Sequence, residues 1–179
     1  KTFHDYFIIE SESQKQKVAA EAAAKLEYET KYKVVCEQKS KSFSELKTKS
    51  TKTSTGLKYI ITQKGKGKKP ATGSTVFIHY AGFLENGELF DTSIASVSKE
   101  FGKYDENRAN QNGYSPIPFQ FGNKQGMIPG FIEGIEKMSF GDKAILFIPS
   151  NLGYGEAGAG GVIPPNANII FEVELLEKM

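Results

Sequence analysis

Residues 154–177 read YGEAGAGGVIPPNANIIFEVELLE. The stretch opens as a glycine-rich loop, is closed by Ile163-Pro164-Pro165, and passes into a strand pattern. Ile169, Phe171, Val173 and Leu175 line one face of that strand, and Glu172 and Glu174 take the other, the period-two signature of a half-buried strand. Upstream, residues 79–93 read HYAGFLENGELFDTS. Together the two stretches supply an aromatic-lined hollow with one carboxylate and no obvious nucleophile. Such a pocket acts through shape and polarity rather than through a covalent intermediate.

The same alternation extends outward. Leu57, Tyr59 and Ile61 alternate with polar residues, as do Val76, Ile78 and Tyr80, with Phe77 and His79 opposite. Asn86-Gly87 is a tight-turn signal, and KAILFIP (143–149) is a short strand of buried character. One helix interrupts the strands. Pro129-Gly130 opens it, Phe131, Ile135 and Met138 share a face, and Gly141 stops it. The expected fold is α+β, with one short helix laid across a curved antiparallel sheet.

Residues 14–47 predict a long helix. Ser11 and Gln14 have capping-box spacing, AAEAAAKLE is rich in helix formers, and acid–lysine pairs recur four residues apart, as in Glu21/Lys25 and Glu37/Lys41. The apolar stripe is thin: Val18, Ala22, Leu26, Tyr32, Val35, Phe43 and Leu46. It sustains no heptad. Two readings stand, a solvated connecting helix and a docking or dimerisation helix. The polar run 48–55 reads as a linker or loop, which divides the chain into a helical extension, 1–55, and a domain, 56–179. The aromatic start Phe3–Phe7 suits the tail of a preceding domain.

Composition narrows the function. Net charge is +2 over 179 residues, so the basic footprint of a nucleic-acid binder is missing. The longest apolar runs are too short to span a bilayer, so no membrane partner is expected. Cys36 is the only cysteine, which excludes an intrachain disulfide and fits a reducing compartment. The expectation is a cytoplasmic protein, with the periplasm as the other candidate.

Two motifs invite other readings. Gly153–Gly158 matches GxGxxG, but a dinucleotide site needs a helix opening at the third glycine, and Gly160, Gly161, Pro164 and Pro165 forbid one. KGKGKK (64–69) lacks the Walker spacing and reads as a solvated loop. His4 and His79 are the only histidines. Neither a zinc cluster nor a GxSxG elbow is present.

Taken in order, HYAGFLENGELFDTS, PFQF (118–121), MIPGFIEGIEKMSFGDKAILFIP (127–149), GYGEAGAGGVIPPNA (153–167) and IIFEVELL (169–176) resemble an FKBP-type peptidyl-prolyl cis–trans isomerase domain. The resemblance covers 56–179. It implies a five-stranded antiparallel half-barrel wrapped on one short helix, and an isomerase that needs no cofactor and no metal. It also implies that proline-containing segments of client proteins are the substrates and that the family's macrolide inhibitors are ligands.

Carried over residue by residue, the resemblance makes Phe131 the pocket floor and Tyr80, Phe90, Phe119 and Phe171 its walls. Met127 and Ile128 lie on the edge, with the Ile128 N–H free for a ligand carbonyl. Tyr154 offers its hydroxyl, Val162 and Ile163 cover one side, and Asp91 is the one polar side chain inside. Read without the resemblance, Phe90, Phe131 and Phe171 are equally core residues and Asp91 a turn residue.

Three departures from the family pattern stand out. Phe131 replaces the usual Trp. Ala159 replaces a larger loop residue. The 24 residues between Ser93 and Pro118, 94–117, replace a short loop. That insertion holds Arg108, the only arginine, which either pairs with Asp91 or is an ordinary surface residue. A loop of this length raises a second function, a chaperone or partner-binding module with isomerisation secondary. The N-terminal helix resembles both the dimerising helix of macrophage-infectivity-potentiator-like isomerases and the linker of bacterial cyclophilin–FKBP fusions. A homodimer through that helix is the expectation under the first comparison.

Overall fold

The computed structural model describes residues 2–179. Lys1 and the side chains of Phe3, His4 and Phe7 lie outside the described residues. Helix α1 spans Phe3–Thr48, longer than the expected 14–47. Its cap is Thr2 rather than Ser11. The Thr2 hydroxyl accepts from the Asp5 N–H, and the Asp5 carboxylate accepts from the Thr2 N–H at 2.8 Å. Nothing between Phe3 and Ser11 breaks a helix, so the cap forms at the first residue able to make it.

From Glu12 to Lys31 every α1 side chain is exposed. Burial then recurs at Tyr32, Val35-Cys36, Lys39-Ser40, Phe43 and Leu46-Lys47, the 3.6-residue spacing of one docked face. Only the C-terminal half of α1 therefore lies on the sheet.

The strands are β1 (Thr51–Lys52), β2 (Lys58–Gln63), β3 (Thr75–Leu84), β4 (Leu89–Thr92), β5 (Ile117–Gln120), β6 (Lys143–Ile148) and β7 (Ile169–Leu176). All pair antiparallel in the order β1-β2-β6-β7-β3-β4, with β5 also on β3. Seven strands replace the expected five for two reasons. The run 48–55 adds a short strand, because Thr51 and Lys52 pair with Tyr59 and Lys58 across a turn at Gly56, whose φ is +102°. In addition, β4 pairs with residues 81–83 and β5 with 75–78 of the same β3 edge. They are one edge strand split by the insertion. The insertion itself folds into α2 (Ala95–Glu100) and α3 (Glu106–Asn110).

Helix α4 (Pro129–Glu136) crosses the concave face. Alternation in the strands builds two cores. Val76, Ile78, Ala144, Leu146, Ile148, Ile169, Phe171, Val173 and Leu175 turn inward toward Phe131 and Ile135 of α4. Ala81, Phe83, Ile145, Phe147 and Ile170 turn outward, where Phe43 of α1 and Phe101 after α2 cover them. A sheet apolar on both faces needs a cover on both, and α1 is the second cover. Among the described residues no helix is long and apolar enough to cross a membrane.

Candidate functional site

The inward face of β3 carries Tyr80, and β4 brings Phe90 and Asp91 alongside it. Phe171 on β7 is the hub. Phe131 meets it edge-on with centroids 5.1 Å apart, Phe90 meets it edge-on at 5.5 Å, and Tyr80 lies tilted at 6.2 Å. Edge-to-face contact is the favourable arrangement of ring quadrupoles. A cavity of about 190 Å³ opens between these rings, lined by Tyr80, Phe90, Asp91, Ile117, Gly126, Met127, Ile128, Phe131, Tyr154 and Phe171.

Gly82 makes the cluster possible. A Cβ there would stand 2.4 Å from the Phe90 ring and 2.8 Å from the Phe171 ring, so the two walls close over a bare backbone. The rim is the loop after β6. Turns and an Ala159–Ile163 bridge occupy 153–163, and strand β7 follows, so the GxGxxG match opens no helix.

Asp91 is the polar centre. Its Oδ2 accepts from the Tyr80 hydroxyl at 2.6 Å, and its Oδ1 accepts from Arg108 Nη1 at 2.8 Å and from the Thr92 N–H at 2.9 Å. Arg108 is held at three more points. Nη2 donates to the Thr92 carbonyl at 2.8 Å, Nε donates to the Gly113 carbonyl at 3.0 Å, and the guanidinium lies 4.6 Å over the Tyr114 ring. Burial raises the Tyr80 pKa well above its ordinary value, and Asp91 raises it further. Burial works against the charge on Arg108, but Asp91 outweighs it and the net shift is upward. Tyr154 is also raised, by burial first and then by the charge of Asp91. All three groups therefore stay protonated at neutral pH. Both oxygens of Asp91 are engaged as acceptors, so the carboxylate is an anchor and not a free base.

Eight of the expected residues meet in this cavity: Tyr80, Phe90, Asp91, Met127, Ile128, Phe131, Tyr154 and Phe171. Three do not line it. Phe119 on β5 is buried in the inner core, Ile163 is buried beneath the rim, and Val162 is 53 % exposed on it. Ile117 and Gly126 join the lining instead. Ile117 had a legible signal, since Ile117, Phe119 and Phe121 alternate. Among the described residues the Ile128 N–H, just before α4, donates to no protein acceptor, and no cluster of His, Cys, Asp or Glu is placed to hold a metal.

Known proteins match this fold and this sequence. The model of the FKBP-type peptidyl-prolyl cis-trans isomerase family matches residues 66–176, more than half of the chain. FK506-binding protein 1 of Dictyostelium discoideum is 41% identical over 121 residues, which cover 68% of this chain and 96% of that protein. The FKBP-type 22 kDa peptidyl-prolyl cis-trans isomerase of Escherichia coli is 38% identical over 125 residues, 70% of this chain and 51% of that protein. The crystal structure of FkpA from Escherichia coli superposes with a TM-score of 0.56 at 33% identity, covering 94% of this chain and 70% of that one. The chain belongs to the FKBP-type peptidyl-prolyl cis-trans isomerase family and is an enzyme of that class.

Proposed function

We propose that the cavity around Phe171 is where the isomerisation takes place, on proline-containing segments of client proteins. The observation that supports this is one hollow lined by five aromatic rings and holding a single carboxylate whose oxygens are both engaged. A peptide bond resists rotation because resonance gives it double-bond character, with a barrier of about 18–20 kcal/mol. At X–Pro the cis and trans forms differ little, but exchange takes roughly tens to hundreds of seconds. Twisting breaks the resonance and reduces charge separation across the amide. A dry aromatic cavity therefore favours the twisted amide over the planar one. Only preferential binding of the transition state is required, and each factor of ten in rate needs about 1.4 kcal/mol.

In this reading the proline ring enters between Tyr80, Phe90, Phe131 and Phe171. The Ile128 N–H takes a substrate carbonyl and the Tyr154 hydroxyl a second polar group. Asp91 holds the polar edge and transfers no proton. Met127 borders the entrance, with Val162 on the rim and Ile163 and Phe119 as support beneath. FK506-type ligands are proposed to occupy the same hollow, more weakly than in relatives with Trp at the floor. A proline-containing peptide titrated into isotope-labelled protein tests the assignment. Resonance shifts should concentrate on Tyr80, Asp91, Ile128 and Phe171, and shifts confined elsewhere would move the site.

We propose likewise that the chain divides into a helical extension, 1–55, and an isomerase domain, 56–179, with its insertion at 94–117. We also propose a homodimer through α1. It is supported by the exposed face from Glu12 to Lys31, which includes Val18 and Leu26, and by the FkpA superposition, which reaches beyond the isomerase domain. Molar mass in solution tests it. A cytoplasmic location rests on the lone Cys36 and is tested by fractionation.

A further inference from the structure

Helices of six and five residues do not hold themselves, yet α2 and α3 carry Arg108 to Asp91 with four-point geometry. What holds them lies behind the sheet. Phe101, just after α2, is 4% exposed and meets Phe83 edge-on at 5.1 Å, and Phe83 meets Phe43 of α1 edge-on at 5.2 Å. The Tyr28 hydroxyl of α1 donates to the Gly102 carbonyl. Gly102 has φ +69°, and a Cβ there would stand 2.4 Å from the Tyr28 oxygen and 2.8 Å from the Tyr32 ring. The end of α2 is therefore clamped between α1 and the sheet.

From that clamp the chain runs directly to the pocket. Tyr104 stacks on Tyr114 at 5.6 Å and 8°. The Tyr114 oxygen accepts from the Asp105 N–H at 2.9 Å, and the Asp105 side chain caps α3 by accepting from the Arg108 N–H at 3.1 Å. The Tyr114 ring underlies the guanidinium. Each contact has one fixed partner, and the series ends on Asp91.

We infer that helix α1 is a positioning element of the isomerase pocket: by clamping Phe101-Gly102 behind the sheet, it fixes Arg108 on Asp91 in front of it. The inference rests on the reading of the Phe171 cavity as the site. Spatial continuity alone is not coupling, so the test is a double-mutant cycle on the full chain.

The variants are Tyr28→Ala, Gly102→Ala, Arg108→Ala and the two doubles that combine Arg108→Ala with each clamp change. Tyr28 is 48% exposed, so its loss leaves the fold intact, as circular dichroism will register. Tyr28→Ala and Gly102→Ala should each lower kcat/KM for an X–Pro peptide by roughly three- to tenfold, within the range of coupled neighbours. In the Arg108→Ala background neither should lower it further. The Arg108 Nε–Hε resonance should be sharp in the unmutated protein and broaden in Tyr28→Ala. Multiplying losses in the doubles, or an impaired Arg108→Ala beside unimpaired clamp variants, would overturn the inference while leaving the pocket reading in place. Full activity in both Arg108→Ala and Asp91→Ala would instead remove the pocket reading, and the inference with it.

Discussion

Arg108 Nη1 stands 2.8 Å from Asp91 Oδ1, although they lie 17 positions apart, with α2 between them and Arg108 on α3. The same guanidinium reaches the Thr92 carbonyl with Nη2 at 2.8 Å. A planar fork makes both bonds at once, and an ammonium does not. Arg108→Lys should therefore keep the charge and lose the geometry. Because the pair is partly exposed, the loss should stay near 1 kcal/mol, or about fivefold in kcat/KM. Peptide kinetics alongside a thermal melt separate that loss from any change in stability.

Gly82→Ala tests the packing of the walls. Gly82 sits in β3 with ordinary strand φ, so the backbone accepts alanine. The new methyl would strike Phe90 and Phe171 together. Overpacking of this kind costs about 1–3 kcal/mol. Activity should fall by at least about tenfold, because both displaced rings line the cavity. Unchanged kinetics would show that the two rings shift without consequence for substrate.

Phe43→Ala tests the second core. Phe43 is 2% exposed and touches both Phe83 and Phe147 edge-on. Truncation should cost about 3–5 kcal/mol, read as a lower denaturant midpoint. A smaller cost would mean that α1 docks mainly through its polar contacts, such as the Lys39–Glu172 ion pair.

Asp142 predicts an acid limit. Its side chain is fully buried. Burial alone would raise its pKa, but N–H bonds from Ser139 at 2.9 Å and Gly65 at 2.7 Å, with Lys64 nearby, bring it below the ordinary 3.8. A depressed carboxyl contributes stability that is complete above its unfolded pKa and is lost as pH falls through the folded one. Urea midpoints should therefore drop on acidification below about pH 4. Asp142→Asn should be less stable at neutral pH and should flatten that slope.

Much of the fold was legible because its signals are local. Alternation marked β2, β3 and β7, the apolar run 143–149 marked β6, and Pro129-Gly130 with Gly141 bracketed α4. The outward core was not legible. Ala81, Phe83, Ile145, Phe147 and Ile170 carry no local signal of the α1 residue that covers them, and a thin helical stripe does not reveal its partner. The Asn86-Gly87 turn packs so tightly on α1 that a Cβ at Gly87 would stand 1.9 Å from the Cys36 carbonyl oxygen. That contact depends on tertiary placement alone. In the site, eight residues followed from ordered motifs. Arg108 was open between two readings because an insertion has no pattern to place it, and its direction is set by contacts at Asp105, Gly113 and Tyr114 that form only in the fold.

The most direct measurement of the central claim is the cis–trans exchange rate of an X–Pro peptide, followed by NMR exchange spectroscopy with unmutated protein and with Asp91→Ala and Phe131→Ala. The account predicts catalysed exchange with the unmutated chain and a fall of at least about tenfold in kcat/KM for each variant, the loss of roughly 1.4 kcal/mol or more of transition-state stabilisation. Exchange no faster than in buffer with the unmutated chain, or full activity in both variants, would contradict it.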